Sequence, residues 1–173
     1  FGYWAPAAEM LGWDWSESVS LGSYYSFGYS LILTPVLYFV KDSITAYRTA
    51  VVLNMILMCA GLCLLYSLMR MLFSGIDKER AVLISGIAVL YPPWIFYMQM
   101  TMTEALLLFL YILICWLLIR FLENPRALTA VFLVLALVYI YFVHMRSIGL
   151  IAAGGITLFI WAFGSKNIGR RRK

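Results

Sequence analysis

The sequence predicts an all-α fold: a polytopic helical membrane protein with about five transmembrane helices plus one interfacial or short kinked helix. Three observations carry that expectation. Of the 173 residues, 64% are hydrophobic and only 12% are charged, against about 45–50% apolar and about 25% charged in soluble domains. The apolar residues gather into separate runs of near-membrane length. Short polar segments join those runs, with no linker, repeat or low-complexity stretch to mark a second domain. A mean hydropathy of +0.91 excludes a soluble core, because a chain of this size has too little interior for so much apolar side chain.

The elements follow in order. Residues 1–48 are expected to form an outer-face loop with interfacial helices, and 49–173 a transmembrane helical bundle. The opening "FGYWAPAAEMLGWDWSESVSLGSYY" holds no run long enough to span. Its Trp4, Trp13, Trp15, Tyr24 and Tyr25 suit the membrane–water interface, where amphipathic rings settle. Residues 26–40, "SFGYSLILTPVLYFV", fall short of the roughly 17–25 residues of a span, and Pro35 interrupts them. They read as an interfacial helix or a short kinked span. Five clearer spans follow at 49–72, 81–99, 104–121, 128–145 and 147–163, each near the length that about 30 Å of hydrocarbon requires. Tyr91-Pro92-Pro93 breaks the second of them by removing two backbone donors, and the freed carbonyls point to a neighbouring cavity. The absence of methionine at Phe1 suggests that further chain precedes it.

Charge sets the orientation. Alternating the five spans puts Arg70, Lys78, Arg80, Arg120, Arg126, Lys166, Arg170, Arg171, Arg172 and Lys173 on one side. Lys41, Arg48 and Arg146 are left on the other. The positive-inside rule then makes the first side, with the C-terminal end, cytoplasmic. The expected location is the cytoplasmic (plasma) membrane. The net charge of +5 is scattered between apolar runs and ends in "GRRRK", which fits anionic lipid rather than nucleic acid.

Few residues are placed to carry chemistry. Glu104 opens a membrane-length run within "TMTE", a Ser/Thr-x-x-Glu capping box that pairs it with Thr101. An ionisable group at the end of a span is also a functional candidate. Arg146 and His144 lie in the turn between the last two spans, and Arg48 heads the first, all on the side of Glu104. Arginine grips phosphate through paired N–H donors, and snorkelling to the interface is the plainer role. Glu9, Asp14 and Glu17 lie in the opening loop, with Asp14 and Glu17 on one face if that stretch is helical. Gly149, Ala152, Ala153, Gly154 and Gly155 permit close helix packing. Cys59, Cys63 and Cys115 lie inside apolar runs and read as small buried residues. A single histidine excludes a multi-histidine metal site within the chain.

The order of these pieces resembles the GT-C membrane glycosyltransferases, the superfamily of protein O-mannosyltransferases and lipid A aminoarabinose transferases. The likeness rests on the aromatic "FGYWAPAAEMLGWDW", then "YYSFGYSLILTPVLYF", then the Arg-headed "YRTAVVLNMILMCAGLCLLYSLMRMLF". A basic turn, a proline-broken span ending in "TE" and a hairpin with "HMRSIGL" complete it. The resemblance implies an N-terminal-half fragment of a multi-span enzyme whose donor is a polyprenyl-phosphate sugar lipid. It places a catalytic acidic pair just upstream of Phe1 and maps the family's later acidic residue onto Glu104. The family's basic residues map onto Arg48 and Arg146.

On that reading Arg48 and Arg146, with His144, bind donor phosphate, and Glu104 positions an acceptor or a cation. Glu9, Asp14, Glu17, Tyr24 and Tyr25 are loop candidates. A phosphate leaving group needs cations or a divalent metal ion to absorb developing charge, and the acceptor needs a carboxylate base. The sequence does not name the metal. Two other classes compete: a secondary transporter or permease, which wants ionisable groups near the midplane, and a non-catalytic membrane scaffold.

Overall fold

The computed structural model describes residues 2–15 and 26–171. Helix makes up 81% of the structure, and no strand occurs among the described residues. In chain order the helices are α1 (Trp4–Met10), α2 (Ser30–Phe39), α3 (Ser43–Leu72) and α4 (Lys78–Val89). There follow α5 (Pro92–Met98), α6 (Thr103–Glu123), α7 (Ala127–Val143) and α8 (Ile148–Arg171), with a 3₁₀ turn at Met145–Ser147.

Two helices, Ser43–Leu72 and Thr103–Glu123, are each long and apolar enough to cross a membrane. Lys78–Val89 and Pro92–Met98 pass that test together as one span bent by 64°. The apolar surface agrees with a lipid setting. On α4 and its C-cap, Val82, Leu83, Ile87 and Leu90 are 60–67% exposed, an arrangement that water would penalise and acyl chains do not.

Local chemistry sets the boundaries. The expected 49–72 span starts earlier, at Ser43, because Asp42 caps α3: its Oδ2 accepts from the Thr45 N–H at 2.8 Å and the Thr45 hydroxyl at 2.6 Å. Asp77 caps α4 likewise, accepting from the Arg80 N–H at 2.7 Å. The 81–99 stretch splits where its prolines stand. Pro92 opens α5 at a position where a helix needs no N–H, and the Tyr91 carbonyl accepts from Trp94 at 2.9 Å. The 26–40 stretch forms only the ten-residue α2, with Pro35 inside it.

Helices α3 and α6 form the largest contact and run parallel. The Trp116 indole donates to Ser67 Oγ at 2.9 Å toward one end, and Asn54 Nδ2 donates to the Met100 carbonyl at 2.7 Å toward the other. Helix α7 returns antiparallel along α6, with α8 beside it. Leu106, Leu110, Ile114, Leu133 and Ile140 fill the shared core. Helices α1 and α2 cover the end where α3 and α6 begin and α7 finishes, which we term the cap end. Arg70, Lys78, Arg80, Arg120 and Arg126 mark the opposite, basic end.

One glycine makes the cap fit. The Gly28 N–H donates to the Phe142 carbonyl at 2.8 Å, and Tyr139 O–H donates to the Gly28 carbonyl at 2.8 Å. A Cβ at this position would stand 2.6 Å from backbone atoms of Phe142 and Val143. Only glycine permits that approach. The cysteines depart from expectation. Cys59 and Cys63 are exposed and Cys115 is half-buried, because α3 packs on α6 with its Asn54, Met58 and Gly61 side and turns Cys59 and Cys63 outward.

Candidate functional site

The cap end is built on a polar network. Tyr29, buried at the start of α2, donates its hydroxyl to Asn54 Oδ1 at 3.0 Å. Asn54, buried within α3, spends its amide on the Met100 carbonyl and, at 3.4 Å, on that of Met98. Those two carbonyls belong to the turn that delivers α6, so one amide fixes where α6 begins. Burying a polar side chain in a membrane helix is costly unless it is so satisfied. Tyr3 packs edge-on to Tyr29 at 5.6 Å, and its hydroxyl shares a hydrogen bond with Thr103 at 3.3 Å. Ser30 ties the layers together by donating to the Tyr3 carbonyl at 2.7 Å.

Glu104 sits in the first turn of α6, half-buried and next to this network. The capping box is not formed. The N-cap is Met102, one residue past Thr101, with no side-chain cap, and Thr101 Oγ1 accepts instead from the Trp4 indole N–H at 3.0 Å. Glu104 instead lies 3.5 Å from the Thr103 hydroxyl. Its charge remains favourable at a helix N-terminus. Tyr29 feels the surroundings most: burial first, with the charge of Glu104 a lesser contributor, pushes its hydroxyl up to about 12.

The three predicted cationic or imidazole residues share this end. Arg48 is exposed on the second turn of α3. The Thr45 hydroxyl and then the Thr45 N–H hold Asp42 below the usual carboxylate range, with Arg48 adding its charge. Arg146 is exposed in the turn between α7 and α8. His144, half-buried, accepts the Arg146 N–H on Nδ1 at 3.2 Å, which holds the imidazole against its own turn. Neither arginine has a carboxylate in ion-pair reach among the described residues, where Arg80–Asp77 at 3.1 Å forms the single ion pair.

The loop candidates divide. Glu9 is exposed at the end of α1, and Asp14 is exposed in irregular chain beyond it, so Asp14 does not lie on a helix face. Glu17, Tyr24 and Tyr25 lie outside the described residues. Among the described residues, no group of three or more His, Cys, Asp or Glu is placed to hold a metal ion.

Between α1, the start of α3 and the turn before α6 lies a cavity of about 310 Å³. Trp4, Trp15, Ser43, Tyr47 and Thr101 line it together with Leu37 and Ala46. None of Glu104, Arg48, His144 or Arg146 is among its lining residues. The sequence did not point to Tyr3, Tyr29 or Asn54. Asn54 alone left a signal, as an amide in the middle of "VVLNMIL".

Comparison with family models, with curated proteins and with solved structures finds no match. The placement of these side chains is therefore what any functional reading rests on.

Proposed function

We propose that this chain is part of a multi-span membrane glycosyltransferase of the GT-C type, transferring sugar from a polyprenyl-phosphate donor to an acceptor at the outer membrane face. The observation that supports it is the gathering of Glu104, Arg48, His144 and Arg146 at one end of the bundle, from three different parts of the chain. In this reading the cap end faces outward. The spans number five, with the bent α4–α5 pair, α7 and α8 joining α3 and α6, and the C-terminal end lies in the cytoplasm of a plasma-membrane protein.

The reaction breaks the bond between the sugar's anomeric carbon and the phosphate oxygen and forms one to the acceptor oxygen or nitrogen. The acceptor proton goes to a carboxylate, and polyprenyl phosphate leaves. Arg48 and Arg146 supply N–H donors to the phosphate as its charge develops, with His144 beside them. Glu104 orients the acceptor or a cation.

Purified full-length protein, given a polyprenyl-phosphate sugar and a range of hydroxyl and amine acceptors, is expected to release polyprenyl phosphate. Glu104→Gln is expected to lower turnover by at least about tenfold. Unchanged turnover in that variant would remove Glu104 from the mechanism, and absence of transfer with every acceptor would overturn the reading. One observation favours a second reading: the 64° break between α4 and α5 is of the kind that lines transporter sites. Solute flux in proteoliposomes without sugar transfer would establish that alternative.

A further inference from the structure

The cavity at the cap end has a chemistry that the glycosyltransferase reading does not use. Its walls include the rings of Trp4, Trp15 and Tyr47, with the Ser43 and Thr101 hydroxyls between them, and no lysine or arginine among the described residues lines it. Asp42, just before the lining Ser43, caps α3, which offsets the positive end of that helix dipole.

Neither nearby cation, Lys41 or Arg48, is among its lining residues. Lys41 lies 4.7 Å from the centre of the Trp13 ring and 5.6 Å from that of Tyr38. Arg48 follows Tyr47 by one helical position and so projects about 100° around α3 from it. Aromatic faces carry a negative quadrupole that attracts organic cations, most strongly where water is displaced. A volume of about 310 Å³ sits at the small end of the roughly 300–1,000 Å³ typical of ligand sites, enough for a headgroup rather than a whole lipid.

We propose that this cavity binds a quaternary ammonium group of the choline type, carried by a membrane lipid or by a free small amine. The aromatic walls take the methylated cation, and the Ser43 and Thr101 hydroxyls border it. The site stands whether or not the chain transfers sugar.

The test is calorimetric titration of the full chain in phosphatidylglycerol nanodiscs, first with choline and then with its neutral isostere, in which carbon replaces the nitrogen. Choline is expected to bind saturably, and the isostere at least about tenfold more weakly. Trp15→Leu should abolish choline binding, whereas Trp13→Leu, which removes the ring under Lys41, should leave it intact. Tyr47→Phe and Tyr47→Leu both remove the hydroxyl that donates to the Gln99 carbonyl at 2.9 Å. Only the leucine removes the ring, so choline binding is expected to persist in the first and fall in the second, with both folded by circular dichroism. Equal binding of choline and isostere, no binding of choline, or equal loss in the two Tyr47 variants would overturn the proposal. Doping the discs with phosphatidylcholine assigns the source: suppression of choline binding marks a lipid-borne ligand, and unchanged binding marks a free amine.

Discussion

Tyr29 does two things with one side chain. Its ring packs edge-on to Tyr3 and its hydroxyl donates to Asn54, so the phenol is used as a neutral donor. Burial makes its ionisation costly, which places its hydroxyl near 12 rather than at the ordinary 10.0. A group raised in this way stabilises the fold fully below pH 10 and loses that contribution as pH rises toward 12. Two units correspond to roughly 2–3 kcal/mol. Subtracting the ultraviolet titration of Tyr29→Phe from that of the parent should leave one late tyrosinate step near 12; a difference step near 10 would show that Tyr29 is not held neutral. Asn54 stood out only as a lone amide in an apolar run, and its pairing with Tyr29 joins two segments that no local pattern links. Glu104 was legible in position, at the head of a membrane-length run, but not in its bonding. The competing partner of Thr101 was Trp4, from a segment 97 positions away.

At the scale of elements, local signals read well and packing signals poorly. The proline pair announced the break between α4 and α5, and Asp42 and Asp77 are cap residues that any reading of helix starts can use. The close approach of Gly28 to the end of α7 could not be read, because glycine in a sequence says only that something there is permitted. Its structural reason makes a prediction. Gly28→Ala forces a methyl into backbone that has no rotamer to give way, which should cost about 1–3 kcal/mol. It should also lower the thermal midpoint of the protein in detergent. Gly86→Ala, on α4 where an added Cβ meets nothing within 4 Å, should change it little or raise it slightly. Equal midpoints for the two variants would contradict the tight seat of the cap on α7.

The molecule as a whole is polar in its charge layout. Arg70, Lys78, Arg80, Arg120 and Arg126 outnumber Asp77, Glu79 and Glu123 at one end, and Glu104, Asp42, Lys41, Arg48 and Arg146 stand at the other. That separation was legible in the sequence, because short connections leave little choice about which end a charge joins. The number of spans was less so: length and apolarity single out α3 and α6, with the bent pair as a third, while α7 is only 17 residues long. A cysteine-free background carrying Arg146→Cys or Lys78→Cys decides the orientation. In intact cells a membrane-impermeant maleimide should label the first and spare the second, and the reverse pattern would invert the assignment of the cap end.

The bonding of Asn54 has a consequence for how the protein is made. Its partners at Met98 and Met100 are synthesised 44 and 46 residues after it, so at ribosomal speeds of about 5–20 residues per second its amide waits for several seconds. Through that interval α3 holds an amide that acyl chains cannot satisfy. Tyr29, made 25 residues before Asn54, is the one partner present from the start, so the two halves of this amide are satisfied at different stages of synthesis.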